Sequence, residues 1–426
     1  MHYVKTAAKI CTATGYVAAC ALLIAAFVDG RADAAVAPPP LSPEDGNTFD
    51  FYVADQEQYD SNLYRLSPAV GDIRTIVAPN ARRSDLISSP SVGGDAQWLL
   101  GRQVFELNLR ADENRFAHNS DLNNTSGYGN LLWNWQIGSH LTGDAGATYN
   151  HGLASFAETR DLGRDLTNTT RYFGNARYQI GPVWAVYGAI NDLEISHSAQ
   201  QAQLNDFHLK GGDVGVEYAT SGNDTIGFEY GYTDGGFPPS NLSTFNNVSF
   251  TPNYHEQLSR LLVKYTVSDK TEIDAYAGYR RREFTTTSIG SFSGDVWRLS
   301  VNWRPTDKTQ VIVAGWHELH SYLVAESDYF VSKGGSVSPV WSATEKLKFA
   351  FVFSYENQDY IPQSPSVITL GQLNAKISTE QVNVTFSPRS AWIFTGSFIH
   401  QSRTSNQVLY QFGDNLATVS VLYRIH

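Results

Sequence analysis

The stretch Asn130-Leu131-Leu132-Trp133-Asn134-Trp135-Gln136-Ile137 decides the fold class. In an extended strand successive side chains point to opposite faces, so Leu131, Trp133, Trp135 and Ile137 share one side while Asn130, Asn134 and Gln136 share the other. The same two-faced pattern returns at Ile226, Phe228, Tyr230 and Tyr232 against Thr225, Glu229 and Thr233. It returns again at Trp297, Leu299, Val301 and Trp303 against Arg298, Ser300, Asn302 and Arg304. Beyond the first 35 residues no long apolar run occurs. Lipid offers no water to unpaired backbone groups, so strands with one greasy face and one wet face cross a membrane as a closed sheet. The fold class expected is all-β, a transmembrane antiparallel β-barrel of the bacterial outer membrane.

Composition fits once dilution is considered. Hydrophobic content is 42% and mean hydropathy −0.29, values of a water-soluble protein, because only alternate strand residues would meet lipid. The excess is aromatic: 23 Tyr, 22 Phe and 9 Trp. Trp303, Trp341, Tyr265, Phe386 and Trp392 fall near strand ends, where an interfacial girdle places them. A soluble β-sandwich or propeller with core aromatics is the alternative.

Lys5 and Lys9 precede an apolar stretch from Ile10 to Val28 and then Ala32-Asp33-Ala34, so residues 1–34 read as a secretory signal cleaved after Ala34. Thr12, Thr14 and Gly15 speak against a membrane anchor. Val17-Ala18-Ala19-Cys20 resembles a lipoprotein cleavage box, but most of the apolar core follows Cys20. Both cysteines lie inside the signal, leaving no thiol, disulfide or cysteine-bound metal in the mature chain. Cleavage leaves 28 basic and 40 acidic residues, a net charge of −12 that argues against a nucleic-acid partner. Residues 35–46 then form a short periplasmic segment and 47–426 the barrel.

Short turns recur at Gly101, Ser139, Gly181, Asn223, Asp269, Asp307, Glu345 and Arg389, spaced by 38 to 46 residues, which fits two strands and one longer loop. This gives about 18 strands, with 16 as the alternative. The second strand, around 85 to 99, contains Pro90, and the fourteenth, around 329 to 341, contains Pro339; each proline removes a ladder donor. The longer connections, about 61–83, 156–168, 237–253 and 359–373, are extracellular if both termini are periplasmic. Residues 238–252 and 360–370 are long enough to fold over the mouth. Ala417, Val419, Val421, Tyr423 and Ile425 form the lipid face of the closing strand.

Assigning the polar phase of each strand to the interior places Arg102, Glu106 and Arg110 on one wall. Arg171, Arg177, Glu229, Arg260, Lys264, Tyr276, Arg280, Arg282, Arg298 and Arg304 line others. Arginine forks engage carboxylates and tyrosine faces stack on sugar rings, so these positions form a candidate translocation path with an anion-concentrating lumen. The plainer alternative is that they pair with Glu106, Glu229, Asp274 and Glu272 to fill a wet interior. His317-Glu318-Leu319-His320 looks like a metal-binding fragment, but residues three apart on a strand face opposite sides. No lipase elbow, paired-carboxylate motif or phosphate loop occurs. Neither an enzyme nor a cofactor or metal is expected.

Asp60-Ser61-Asn62-Leu63-Tyr64-Arg65 resembles the Asp-x-Asn-Leu-aromatic-Arg opening of the EpsL-type putative β-barrel porins encoded with exopolysaccharide operons. Gly101-Arg102-Gln103 and the Trp-x-Pro-Thr-x-Lys turn at 303–308 are similar to that family's recurrent elements, and the likeness covers most of residues 47–426. The resemblance implies an outer-membrane channel for export of an exopolysaccharide. Its implied partners are the polysaccharide chain, periplasmic and inner-membrane synthesis and export proteins, and outer-membrane lipid and lipopolysaccharide. A general or solute-specific diffusion porin is the alternative, and its mark would be a constriction loop folded into an open channel. A barrel enzyme is a third, more distant reading.

Overall fold

The computed structural model describes residues 46–425 apart from 76, 78, 160–161, 221, 223, 238–252, 286–290, 325–326 and 363–372. The expected signal, the turn residue Asn223 and most of the two connections expected over the mouth lie outside the described residues.

The described chain is one antiparallel sheet. Its strands are β1 (Thr48–Asp60), β2 (Asp85–Ser88 with Ser91–Leu100), β3 (Gln103–Phe116), β4 (Asn124–Ile137), β5 (Leu141–Leu153), β6 (Leu166–Ile180), β7 (Trp184–His197), β8 (Phe207–Ala219) and β9 (Thr225–Gly236). They continue as β10 (Tyr254–Ser268), β11 (Thr271–Phe284), β12 (Phe292–Thr306), β13 (Thr309–Val324), β14 (Ser327–Ser342), β15 (Leu347–Pro362), β16 (Asn374–Arg389), β17 (Trp392–Ser405) and β18 (Phe412–Ile425). Each strand pairs with the next, and β1 returns to β18 with Phe51 opposite Ile425 and Asp60 opposite Leu416. The sheet is therefore a closed barrel with no free edge.

The two segments of β2 hold one register against β1, Glu57 opposite Ser88 and Ala54 opposite Ser91, so they are one strand with a gap at Ser89-Pro90. The Pro90 carbonyl still accepts from the Glu113 amide at 3.0 Å, but proline has no N–H to return. Eighteen strands result, and the count of sixteen is set aside. Pro339 acts in a similar way: β14 is continuous, yet its ladder to β15 passes from Val337 to Val340 without Ser338 or Pro339.

The faces follow the sequence parity. Ile190 and Val419, at 70% and 68% exposure, sit on an outer surface that a water-soluble protein would bury. Trp303, Trp341, Tyr265, Phe386 and Trp392 are all exposed on that surface near the short-turn end. Gly101, Gly138 and Gly181 take positive φ in three of those tight turns, a conformation open to glycine at little cost. Both described chain ends lie at this same end, at Thr48 and Ile425.

The opposite end is capped from within. Leu63, Tyr64, Ile73 and Ala81 from the β1–β2 connection pack with Ile87, Phe116, Leu122 and Phe156 into a small apolar core. The Asp85 carboxylate anchors it, accepting from the His118 and Asn119 backbone amides and from Asn119 Nδ2. Such a cluster gives long connections a fixed conformation.

Candidate functional site: the barrel lumen

The inward-facing residues alternate with the lipid-facing ones, and the structure places most of the expected path residues on this inner wall. It pairs seven of the expected cations with acids. Arg110 meets Asp112 at 2.5 Å, Arg177 meets Glu217 at 2.6 Å, and Arg260 meets Glu229 at 2.5 Å. Lys264 pairs with Glu272 at 2.7 Å and Arg298 with Glu318 at 3.0 Å. Glu256 serves both Arg280, at 3.4 Å, and Arg282, at 2.6 Å. Tyr276 bonds to Glu318, and its ring lies 5.2 Å from the Arg260 guanidinium. Arg171 instead donates to Asn191 Oδ1 at 2.7 Å. Glu106 faces inward with no ion pair among the described residues, as do Asp144 and Asp213.

Two expected path residues lie at the rim. Arg102 sits in the β2–β3 turn and donates to the Gly138 carbonyl. Arg304 is exposed where the β12–β13 ladder loses register between Trp303 and Thr306. The irregular backbone there ends the strict alternation on which the sequence assignment depended.

Glycine permits one longer link. The Tyr187 ring lies over Gly215, where a Cβ would collide with it, and so its hydroxyl crosses β8 to bond Glu229 Oε2 at 3.0 Å. Tyr187, Arg260 and Glu229 thereby join β7, β9 and β10 across the inner wall.

The family-like motif forms a clasp at the seam. Asp60 Oδ1 accepts from the Asn62 amide at 2.8 Å and from Arg65, whose backbone takes φ +52. Arg65 also reaches Asp414 Oδ2 at 3.0 Å, and the Asn62 amide and Ser61 hydroxyl donate to Asp414 Oδ1. Asn62 Nδ2 donates to the Leu66 and Gly413 carbonyls. These bonds tie the end of β1 to the start of β18. Leu63 and Tyr64 meanwhile point into the cap, where the Tyr64 ring meets Phe156 at a tilt with centroids 4.8 Å apart.

Phe156 begins α1 (Phe156–Thr159), a single turn in the β5–β6 connection. This turn packs against β13, which lies seven strands onward from β6 in the ring. From β17, six strands back from β5, Arg403 Nη1 donates to the Ala157 carbonyl at 3.5 Å. Arg403 is itself held by the Tyr360 hydroxyl at 2.9 Å and lies 5.7 Å from the Tyr360 and Tyr410 ring centres. A segment that leaves one wall and contacts walls on both far sides lies across the lumen. Sequence parity marks Arg403 as inward, but nothing local marks it as a contact for this segment.

His317 and His320 face apart, as residues three apart on a strand must. His317 Nδ1 lies 3.2 Å from Asp295, while His320 stacks on Phe330 at 5.3 Å. Among the described residues no group of three or more His, Cys, Asp and Glu side chains is placed to hold a metal ion.

No family model matches the chain, and no curated protein matches it. Solved barrels do. The outer membrane protein opdK from Pseudomonas aeruginosa shares 11% identity over 89% of this chain and 99% of that one, with a TM-score of 0.47. A BenF-like porin from Pseudomonas fluorescens Pf-5 shares 10% over 89% and 99%, with a TM-score of 0.48. The alcaligin outer membrane receptor FauA from Bordetella pertussis shares 9% over 88% and 76%, with a TM-score of 0.41. Likeness at this level is to the general architecture. The chain is an outer-membrane-type β-barrel on the strength of its own closed ladder and two faces.

Proposed function

We propose that the protein is a diffusion channel of the Gram-negative outer membrane, with α1 as the element that limits what passes. The carrying observation is the path of the β5–β6 connection, which crosses from its own wall to β13 and Arg403. A crossbeam divides the cross-section into narrower passages, which suits small solutes better than a sliding polymer chain. In this reading the signal is cleaved after Ala34, the short turns face the periplasm, and outer-membrane lipid and lipopolysaccharide surround the aromatic girdles. Liposome swelling with neutral sugars of increasing size tests it. A sharp size limit that relaxes when Phe156–Thr159 is replaced by a shorter linker is the expected result; uptake indifferent to that change would exclude α1 as the limit.

The likeness of Asp60–Arg65 to the EpsL-type opening favours a second reading, export of an exopolysaccharide with periplasmic and inner-membrane partners. A clean deletion strain separates the two. Loss of surface polymer with intact synthesis supports export, and normal surface polymer with impaired solute uptake supports the diffusion channel.

A further inference from the structure

His197 ends β7 with its side chain 5% exposed, between two carboxylates from different connections. Its backbone amide donates to Asp206 Oδ1 at 2.7 Å, and ring Nδ1 lies 3.0 Å from that same oxygen. A carboxylate oxygen only accepts, so Nδ1 carries a hydrogen. The other nitrogen, Nε2, faces Asp165 Oδ2 at 4.0 Å. That oxygen is buried and has no hydrogen-bond partner. A neutral imidazole would aim a lone pair at a buried anion; a protonated one would aim an N–H at it.

Asp165 is the exit of the β5–β6 connection that carries α1. Its carbonyl accepts from the Ala154 amide at 2.8 Å, closing the neck of that connection, and its Oδ1 accepts from the Ala199 amide at 2.9 Å. The neighbouring Leu166 amide donates to Ser198 Oγ at 2.7 Å. Asp206 belongs to the β7–β8 connection. On the flanking strands, Thr167 stands opposite His197 on β6, and Phe207 stands opposite Ile195 on β8. Among the described residues, Asp165 and Asp206 are the carboxylates within 4.0 Å of the ring.

We propose that His197 is a proton-operated tie: its imidazolium bridges Asp206 and Asp165 and fixes the neck of the segment that crosses the lumen. When the proton leaves, Asp165 Oδ2 remains buried without a counter-charge, and the neck loosens. The consequence for permeation rests on the channel reading; the tie itself does not.

Amide hydrogen exchange of the full-length barrel in detergent, corrected for intrinsic pH dependence, reads the tie without needing a conducting pore. Protection at Ala154, Phe156 and Ala157 should fall several-fold between pH 5.5 and pH 8 in the wild type. His197→Gln should show the same low protection at both values, and Asp165→Asn, which removes the buried charge, should lose the pH dependence. Planar-bilayer recordings should be noisier at pH 8 than at pH 5.5. Wild-type protection that does not change with pH, or a pH response retained in His197→Gln, overturns the proposal. A pH-dependent exchange with no solute conduction would instead leave the tie standing and count against the channel reading.

Discussion

Arg403 donates to the backbone carbonyl of Ala157, so a wall residue from one side of the barrel holds a turn that begins on the other. The same guanidinium bonds Tyr360 and lies 5.7 Å from the Tyr360 and Tyr410 ring centres, which restricts its rotamers. Arg403→Met keeps much of the apolar stem and removes both donors. Single-channel conductance should rise and become noisier while the barrel stays heat-modifiable. Unchanged conductance would show that α1 is held without Arg403.

Facing can be tested with neighbouring substitutions. Val301 stands between Ile273 and Val313 on the outer surface, whereas Ser300 faces Asp274 inside. Val301→Arg should cost about 2 to 4 kcal/mol if it lies near the bilayer midplane. Ser300→Arg should be tolerated beside the Asp274 carboxylate. Urea unfolding in lipid vesicles compares them, and equal destabilisation would contradict the inner and outer assignments.

The seam clasp has a sharper cost. Arg65→Ala leaves the carboxyls of Asp60 and Asp414, each side chain 4% exposed, without their shared cation. Removing one partner from a buried ion pair costs on the order of 3 to 5 kcal/mol. Heat-modifiability should be lost at a lower temperature than in the wild type, and Asp60→Asn combined with Arg65→Ala should recover part of that loss.

Charge selectivity follows from the pairing in the lumen. Arg260 and Arg298 are neutralised by Glu229 and Glu318, whereas Glu106, Asp144 and Asp213 face inward without ion pairs among the described residues. Low-dielectric walls focus the field of such uncompensated charge. Zero-current potentials in a salt gradient should show a preference for cations, reduced by Glu106→Gln with Asp144→Asn. An anion-selective wild type would restore the sequence-based expectation of a positive lumen.

Tyr64 gives a pH signature outside the strands. Burial, with Asp85 and Asp121 adding, pushes its phenol up to about 12, and its neutral hydroxyl bonds Asn119 Oδ1 at 3.1 Å. A group whose neutral form is favoured on folding contributes fully below its unfolded value near 10, and the contribution fades as pH rises toward 12. Thermal unfolding should therefore show cap weakening above pH 10. Tyr64→Phe should cost about 1 kcal/mol at neutral pH and remove that component.

Much of the barrel is legible in the sequence because strand parity is local. Trp133 and Asn134 face apart, Pro90 interrupts its ladder, and Gly101 turns the chain without any long-range information. The lumen list is legible to the same extent, and it fails at Arg304, where a ladder irregularity breaks parity. Partner choice is another matter. Arg298 meets Glu318 from the next strand, and Asp60 meets Arg65 and the distant Asp414; register and closure decide both. The least legible feature is the course of the β5–β6 connection. Its inward path depends on contacts with Tyr64, β13 and Arg403 that only the closed ring brings near.

Placing the crossbeam in one short connection separates durability from selectivity. On the diffusion-channel reading, the eighteen-strand wall would keep its ladder while substitutions, insertions or deletions around Ala157 change what is admitted, since lengthening a loop carries only a small closure cost. For an engineer the scaffold offers a stable pore with an exchangeable insert. On the diffusion-channel reading, the same separation would let permeability diverge while assembly is preserved.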